Sequence, residues 1–280
     1  MDAPVVSVVL PTHGRAGYLE VALDSLAAQD IHQPWELLVV DDGSNDGTAA
    51  LLEQRGTPSL RFDPPRGLNA ARNEGARATS GALVAFTDDD VRVPPGWLRA
   101  LVEGAARHPG AQAFGGPIRA RFEGPAPRSC GREDPPLTTL DLGQSDTPAE
   151  LVWGANMAVR RSAMERVGFF DETIHGGGDE QDWLERLHAA GGEVVYLADA
   201  GLEHRRVGDD ARLRSLARGA YTRGRNMRAY DTRRGRAPAL GSELRVLAGC
   251  GWHTVRRACP QGIVMGAHSL GRTVEAVHPR

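Results

Sequence analysis

The sequence predicts an α/β fold in which helices cover both faces of a mostly parallel sheet. Three aliphatic runs, Val5–Leu10, Glu36–Val40 and Ala82–Phe86, are typical of strands that are buried on both faces. Segments with helical spacing of apolar residues separate these runs, so strands and helices alternate. Each run ends in polar or acidic residues. Because ligands bind at the carboxyl ends of the strands in such sheets, we expect a binding site at that edge.

The remaining elements follow from the same patterns. The helices expected are Tyr18–Gln29, Thr48–Arg55, Leu68–Thr79, Trp97–His108, Ser162–Val167 and Asp179–Ala190. Further strands are expected at Leu60–Phe62 and Glu193–Leu197, and a strand or turn at Leu151–Ala158. Arg121–Pro148 is rich in proline, glycine and charge, which predicts a long loop. The chain after His204 is expected to be mostly helical.

The composition excludes several classes of enzyme. The 280 residues include no lysine, so all 33 basic residues are arginine. A Walker A loop and a Schiff-base or pyridoxal-phosphate enzyme each need a lysine amine, and both are therefore excluded. Arginine, a metal ion or backbone N–H groups must therefore bind any phosphate group of a ligand.

Several features of the sequence bear on the cellular compartment of the protein. The sequence contains no apolar run of about 18 residues, and its N-terminus lacks the pattern of a secretory signal. The three cysteines, Cys130, Cys250 and Cys259, do not have the spacing of metal ligands along the chain. They fit reduced thiols in a reducing compartment. We therefore expect a cytoplasmic protein.

Charge is distributed unevenly along the chain, although the net charge is only -3. Between Arg205 and Arg236 there are eleven arginines against Asp209, Asp210 and Asp231. This basic segment indicates an anionic partner: the inner face of a membrane, a lipid-phosphate acceptor or a pyrophosphate. Its few aromatic residues argue against nucleic acid as that partner. A solvated helix face explains the pattern equally well.

Asp88, Asp89 and Asp90 directly follow a predicted buried strand. Three adjacent carboxylates repel one another unless a cation is near. Hard oxygen ligands of this kind suit Mg²⁺ or Mn²⁺. A solvated acidic turn is the alternative, but the position at the carboxyl edge of the sheet favours metal binding.

Two other acidic groups have two interpretations each. Asp41 and Asp42 follow the second strand, where they would accept hydrogen bonds from a nucleobase or ribose, or form a turn with the glycines that follow. Asp179, Glu180 and Asp182 begin a helix behind three glycines. A general base placed there can meet an incoming hydroxyl. Helix capping explains Asp179 as well.

Six segments, taken in order, resemble the family 2 glycosyltransferases of GT-A fold. They are VSVVLPTHGR, ELLVVDDGSNDGT, GLNAARNEGARATSG, ALVAFTDDD, GANMAVRRSAMERVGFFDE and GGGDEQDWLERLHAAGG. Together they cover about Val6 to His204. The resemblance implies a GT-A domain over residues 1–206, with a nucleotide-binding half over about 1–115 and an acceptor half over about 116–206. Residues 207–280 would form a C-terminal helical extension that lies outside the shared fold.

The resemblance also assigns roles to individual residues. Those assigned to the nucleotide and the donor sugar are Pro11, Thr12, His13, Arg15, Asp41, Asp42, Arg66, Asn73, Asp88, Trp153 and Asn156. Asp89 or Asp90 is expected to hold the metal, and His204, past the last strand, matches a histidine that completes the metal shell in some members. The family usually has Glu-Asp where this chain has Asp179-Glu180. The general base is therefore placed on Glu180 by register, with Asp179 and Asp182 as alternatives.

The activity implied by the resemblance is a metal-dependent, inverting transfer of a sugar from a nucleoside-diphosphate donor to a hydroxyl acceptor. That acceptor would be a polysaccharide, a lipid-linked glycan or a natural product, as in cell-wall or polysaccharide biosynthesis. One alternative is a nucleotidyltransferase of similar fold, although its Gly-rich loop and lysine are absent. Another is a non-catalytic nucleotide- or glycan-binding module, which would not need Asp88–Asp90 and Glu180 together.

Overall fold

The chain folds into alternating strands and helices, followed by a helical C-terminal part. The structure, a computed structural model, describes residues 3–128, 130–131 and 136–279. The strands are β1 (Val6–Thr12), β2 (Trp35–Asp41), β3 (Ser59–Arg61), β4 (Leu83–Thr87), β5 (Val91–Arg92), β6 (Ala113–Gly115), β7 (Ile118–Glu123), β8 (Thr147–Pro148), β9 (Asn156–Arg160), β10 (Val194–Tyr196) and β11 (Leu202–Val207). The helices are α1 (Ala16–Ala27), α2 (Thr48–Arg55), α3 (Leu68–Ala78), α4 (Trp97–Arg107), α5 (Arg161–Val167), α6 (Asp179–Ala189), α7 (Leu213–Arg233), α8 (Leu240–Arg257) and α9 (Gln261–Val277).

The larger sheet has the strand order β3-β2-β1-β4-β9-β6-β10-β8. β1 is parallel to both β2 and β4, β2 is parallel to β3, and β6 is parallel to β10. β9 runs antiparallel between β4 and β6, and β8 runs antiparallel beside β10. The mostly parallel sheet that the sequence predicts is therefore confirmed. A smaller sheet has the order β5-β11-β7.

Both faces of the larger sheet are covered by helices because its strands carry apolar side chains in both directions. Val8 and Leu10 of β1 belong to one hydrophobic core together with Leu23 of α1. Val9, between them, belongs to the core on the other face together with Trp183 of α6. A strand buried in this way reads as an unbroken aliphatic run, which is the pattern that predicted it.

β1 continues further than the sequence predicts. Its end was expected at Pro11, but the strand runs through this residue to Thr12, with Pro11 in register with Val40 of β2. Pairing of β1 with β4 reaches only Val9. At Pro11 the strand therefore has a hydrogen-bonded neighbour on one side only, and proline is tolerated at such an edge position.

Several short strands were not predicted, and the long loop expected over 121–148 is only partly a loop. β7 extends into this loop to Glu123, a bridge joins Ile118 to Leu140, and β8 lies near its end. Residues 129 and 132–135 of the loop lie outside the described residues. The strand expected within Leu151–Ala158 begins later, as β9.

The chain divides into two compact units. Unit 1 comprises Met1–Arg119, Leu140–Thr173 and Asp179–His204, and unit 2 comprises Ala120–Thr139, Ile174–Gly178 and Arg205–Arg280. The domain boundary expected at residue 206 lies close to the end of unit 1. Two internal segments, residues 120–139 and 174–178, group with the C-terminal residues.

Unit 2 is built around α7, α8 and α9, as expected for this part of the chain. Its small apolar core includes Leu216 and Val264. The buried carboxylate of Glu243 lies 3.3 Å from Arg228 and 2.8 Å from Arg272. Part of the basic character of this unit is therefore neutralised by its own acidic residues. No helix among the described residues has the length and hydropathy needed to cross a membrane.

Candidate functional site

A cavity of about 380 Å³ lies in unit 1, at the edge of the sheet where β1, β2 and β4 end. The residues that line it are Pro11, Thr12, His13, Arg15, Asp42, Leu68, Asp88, Asp89 and Asp90. Except for Leu68, all of them were predicted to belong to the site. Polar residues that follow three different strands therefore meet at one place, as the strand order requires.

The aspartates after β4 are held by a network of hydrogen bonds and ion pairs. The hydroxyl of Thr12 donates to Oδ2 of Asp89 at 2.8 Å. Nη1 of Arg15 lies 3.2 Å from Oδ1 of Asp89 and 2.9 Å from Oδ2 of Asp90. Oδ1 of Asp90 lies 3.2 Å from Nε2 of His204. Burial raises the pKa of Asp89 to about 6 although the charge of Arg15 lowers it, so additional positive charge would stabilise this cluster.

The smaller sheet brings His204 to the cluster. β5 directly follows Asp90 and pairs antiparallel with β11, which places His204 opposite Val91. The sequence placed His204 past the last strand, whereas it lies within β11. This strand was missed because its sequence, LEHRRV, has little of the apolar character by which strands are recognised.

The two aspartates at the end of β2 have different environments. Oδ1 of Asp41 accepts the backbone N–H of Ser44 at 2.8 Å, and its other oxygen pairs with Arg61. Asp41 therefore stabilises a turn. Oδ1 of Asp42 accepts the backbone N–H of Arg66 at 2.6 Å, just before α3. Asp42 thus holds the start of this helix and also lines the cavity.

The buried guanidinium of Arg72, on α3, joins three carboxylates. Nη1 lies 2.6 Å from Asp179 and 3.3 Å from Glu180, and Nη2 lies 3.4 Å from Asp88. One cation faces three acids, so negative charge is in excess. Burial and the charge of Asp179 together raise the pKa of Glu180 to about 7. Glu180 therefore exchanges a proton near neutral pH, which is the property of an effective general base.

Glu180 has a glycine as its neighbour in space and three glycines shortly before it in the chain, and each of these positions disfavours a side chain. The N–H of Gly154 donates to Oε1 of Glu180 at 3.0 Å, and a Cβ atom at Gly154 would collide with both Glu180 and Arg72. Before α6, Gly176, Gly177 and Gly178 have φ values of 69°, 129° and 91°. These values lie in the left-handed region, which glycine adopts without the strain that a side chain causes.

Residues 7–168 match the sequence profile of Glycosyl transferase family 2. The chain belongs to this family. Glycosyltransferase AglE of Haloferax volcanii is 30% identical over 202 residues, which make up 70% of this chain and 65% of that protein. The pre-mycofactocin glycosyltransferase of Mycobacterium tuberculosis is 33% identical over 211 residues, or 71% of this chain and 42% of that protein. The chain thus spans less than two thirds of the length of these curated relatives.

Among solved structures, the mannosyltransferase PcManGT from Pyrobaculum calidifontis, in complex with GDP-Man and Mn²⁺, has a similar fold. Its TM-score is 0.68 at 18% identity, and the match covers 100% of this chain and 89% of that one. At this identity the likeness concerns the fold alone. It confirms the GT-A fold that the sequence predicts.

Two asparagines that the family resemblance places near the donor lie outside the cavity lining. The side chain of Asn73 accepts the N–H of Phe170 at 3.0 Å and donates to its carbonyl at 2.9 Å. Asn156 accepts from Nε1 of Trp97 at 2.9 Å and donates to the carbonyl of Ala200 at 2.8 Å. Their contacts are those of residues that hold the fold, and their contact with a nucleotide sugar stays a prediction.

Three other predicted residues are also engaged elsewhere in unit 1. Trp153 packs against the core that contains α1 and α4. The guanidinium of Arg66 lies over the ring of Phe62 at 4.6 Å. On α6, Oδ2 of Asp182 lies 3.0 Å from Nε of Arg186, one turn further along the helix. This pairing makes Asp182 a weaker candidate for the general base than Glu180.

Sequence reasoning missed Arg72, which is the centre of the acidic network. A signal for it was present, because Arg72 lies between Ala71 and Ala76 on the apolar, buried side of α3. An arginine on the buried side of a helix needs a carboxylate partner, since an unpaired buried charge is strongly destabilising. Leu68 was also missed, and nothing in its sequence context distinguishes it.

Proposed function

We propose that the protein transfers a glycosyl group from a nucleoside-diphosphate sugar to a hydroxyl acceptor, with inversion at the anomeric carbon. The observation that carries this proposal is the meeting of Asp42 and Asp88–Asp90 with Arg15 in one cavity at the carboxyl edge of the sheet. So many carboxylates repel a free pyrophosphate, but they attract one that arrives with a divalent cation. Membership of glycosyl transferase family 2 supports the same reaction class.

The residues present fit a divalent cation. Oδ1 of Asp90 and Nε2 of His204 are 3.2 Å apart. Adjacent ligands of one octahedral ion with bonds of about 2.1 Å are separated by about 3 Å. Arg15 contacts both carboxylates, but both oxygens of Asp89 are engaged, by Thr12 and Arg15, whereas Arg15 contacts Oδ2 of Asp90 and Oδ1 faces His204. We therefore place the ion on Asp90 and His204 ahead of Asp89. Carboxylate ligands suit Mg²⁺ and Mn²⁺, and the imidazole favours Mn²⁺.

Glu180 is the general base in this proposal. Asp179 lies closer to Arg72, at 2.6 Å, and this short ion pair fixes its carboxylate on the guanidinium. Glu180 lies 3.3 Å from the same guanidinium and has a pKa of about 7. Its proximity to Arg72, which also contacts Asp88, brings it near the aspartate run.

The proposed step is a single displacement. The Glu180 carboxylate accepts the proton of the acceptor hydroxyl, and the acceptor oxygen forms a bond to the anomeric carbon. The bond from that carbon to the diphosphate oxygen breaks, and its electron pair leaves with the nucleoside diphosphate. A cation at Asp90 and His204 would supply the positive charge that stabilises this leaving group. Arg72 and the N–H of Gly154 hold Glu180 in position during the step.

Donor binding is tested by thermal shift with UDP-, GDP- and dTDP-sugars in the presence of Mn²⁺, because a ligand that binds only the folded state raises its melting temperature. We expect one donor class to raise it, and EDTA or Asp90→Ala to abolish that rise. Asp24→Ala, which removes an exposed aspartate of α1, is the matched control and should preserve the rise. An equal rise with and without EDTA would contradict the metal site.

Turnover is tested with Glu180→Gln, by measuring release of the nucleoside diphosphate. The variant should bind the donor normally and lose about 10²–10⁴-fold in turnover, which is the range expected for a general base. Glu53→Gln, which changes an exposed residue on α2, should turn over normally. If Glu180→Gln retains near wild-type turnover, the base assignment is wrong. If the wild-type protein binds a donor and releases no product with any acceptor, the protein is a binding module.

We further propose that α8 of unit 2 lies against an anionic membrane surface, where a lipid-linked acceptor would be met. Trp252 and Val255 are 67% and 80% exposed, and helical spacing places Leu244 on the same side of α8. The guanidinium of Arg256 lies over the ring of Trp252 at 5.9 Å. Exposed apolar side chains flanked by arginine are typical of helices that lie in the interface of a membrane.

Vesicle co-sedimentation tests the membrane proposal. The protein should bind vesicles that contain phosphatidylglycerol, and phosphatidylcholine vesicles should retain much less of it. Trp252→Glu should abolish binding, whereas Leu270→Glu, at an exposed position of α9, should preserve it. Equal binding to both lipids, or equal loss in the two variants, would contradict the assignment of this surface.

A further inference from the structure

Two of the three cysteines meet a histidine within unit 2. The Sγ atoms of Cys130 and Cys259 and a ring nitrogen of His253 all lie within 4.8 Å of one another. Cys130 and His253 are 123 positions apart, so their proximity could not be recognised from sequence spacing. None of the cysteines forms a disulfide. The free thiols that the sequence predicts are therefore confirmed, and two of them lie beside a histidine.

The distance between Cys130 and His253 is that of two ligands of one metal ion. In a tetrahedral zinc site, bonds of about 2.3 Å to sulfur and about 2.0–2.1 Å to nitrogen place these two atoms about 3.5 Å apart. Sγ of Cys130 lies 3.6 Å from Nε2 of His253. A thiol–imidazole hydrogen bond has a similar length, but it does not account for a second sulfur at the same place.

The backbone at the end of α8 turns the chain so that Cys259 lies close to His253. Ala258, with φ of 47°, is the one residue other than glycine that has a positive φ in the described part of the chain. This turn directs the N–H of Cys259 back to the carbonyl of Thr254, at 3.2 Å. A left-handed residue ends many helices in this way, usually a glycine, because alanine is less favourable in this conformation. Here it brings the buried Cys259 back beside His253.

We propose that Cys130, His253 and Cys259 bind a zinc ion. Two thiolates and one imidazole suit Zn²⁺ and suit neither Mg²⁺ nor Mn²⁺, so this site and the aspartate cavity select different metals. On binding, both thiols release their protons to solvent, and the two thiolate charges neutralise the ion. The ion would link the segment that follows β7 to the turn between α8 and α9, both within unit 2.

Cobalt substitution tests the proposal independently of the catalytic activity. The full-length protein is reduced, stripped of metal with a chelator and titrated with Co²⁺. We expect thiolate-to-cobalt charge-transfer absorption that saturates at about one ion per chain and disappears when Zn²⁺ displaces the cobalt. Cobalt bound by carboxylates does not give this absorption. The proposal would be overturned if the reduced wild-type protein shows no such absorption. It would also be overturned if the purified protein contains a Cys130–Cys259 disulfide and gives no cobalt band once that disulfide is reduced.

Variants assign the absorption to individual residues. Cys130→Ser and His253→Gln should each weaken cobalt binding by at least about tenfold, since even outer-shell changes at metal sites have effects of this size. Cys250→Ala removes the remaining cysteine, which lies outside the cluster, and should leave the absorption unchanged. Circular dichroism confirms that each variant is folded. An absorption that persists in Cys130→Ser and is lost in Cys250→Ala would refute the assignment.

Discussion

Replacing Glu180 with glutamine removes the ability of this side chain to ionise while preserving its shape. In the folded protein the pKa of Glu180 is raised from 4.5 to about 7, because the side chain is buried and lies beside Asp179. The folded protein therefore holds this proton more tightly than the unfolded chain. The resulting stabilisation is complete below about pH 4.5 and is lost as the pH rises through about 7.

The magnitude follows from the difference between the two pKa values. One pKa unit corresponds to about 1.36 kcal/mol, so ionising Glu180 in the folded state costs on the order of 3 kcal/mol. Because glutamine does not ionise, Glu180→Gln should match the wild-type stability at about pH 4 and exceed it by roughly 3 kcal/mol at about pH 8. At roughly 2–4 °C per kcal/mol, the melting temperature should rise by about 6–12 °C at the higher pH.

The assay is thermal and urea unfolding of both proteins across this pH range, in EDTA so that no metal ion alters the charge of the site. Glu53→Gln, an exposed substitution on α2, is the control and should follow the wild-type profile throughout. A stability difference that is the same at low and high pH would show that the effect does not arise from ionisation. A destabilised variant at the higher pH would refute the reasoning outright.

Three further predictions concern the same part of unit 1. Arg72→Met should lower the free energy of unfolding by about 3–5 kcal/mol in urea at neutral pH, because it leaves Asp179 and its neighbours without their buried cation; a loss under about 1 kcal/mol would contradict the buried ion network. The kcat/KM for sugar transfer should rise about tenfold per pH unit below about 7 and level off above it, since Glu180 must lose its proton to act as a base. A flat profile across that range would exclude this ionisation. Asn73→Ala should lower the free energy of unfolding by about 1–3 kcal/mol, because the backbone of Phe170 loses its partner. Calorimetry with the donor then tests the predicted contact of Asn73 with the nucleotide, which an unchanged donor affinity would exclude.

The sequence was sufficient to predict the sheet and the acidic edge because both depend on local patterns. A strand buried on both faces must be aliphatic throughout, so β1, β2 and β4 could be recognised. The residues that follow such strands meet at one edge, whatever the rest of the chain does. For this reason Asp42 and the run Asp88–Asp90 were placed together correctly.

The rest depends on contacts that local patterns do not encode. β6 has three residues, Ala113–Gly115, which are too few to show a period. The partner of Asn73 is the backbone of Phe170, 97 positions away. Every residue has a similar peptide group, so the sequence does not show which one Asn73 contacts. Cys130 and His253 meet only because the chain returns to the same place after 123 residues.

The reversed direction of β9 determines which connecting segments affect the candidate site. Thr87 of β4 lies beside Asn156, the first residue of β9. β4 therefore ends at the edge of the sheet that carries the candidate site, and the antiparallel strand β9 begins at that same edge. Lengthening the connection before β9, at Gly154, would displace an N–H that holds Glu180. Lengthening the chain after Arg160, at the opposite edge, would instead displace Arg161, which donates to the carbonyls of Gly81 and Ala76. An insertion there would therefore cost stability without displacing the N–H that holds Glu180.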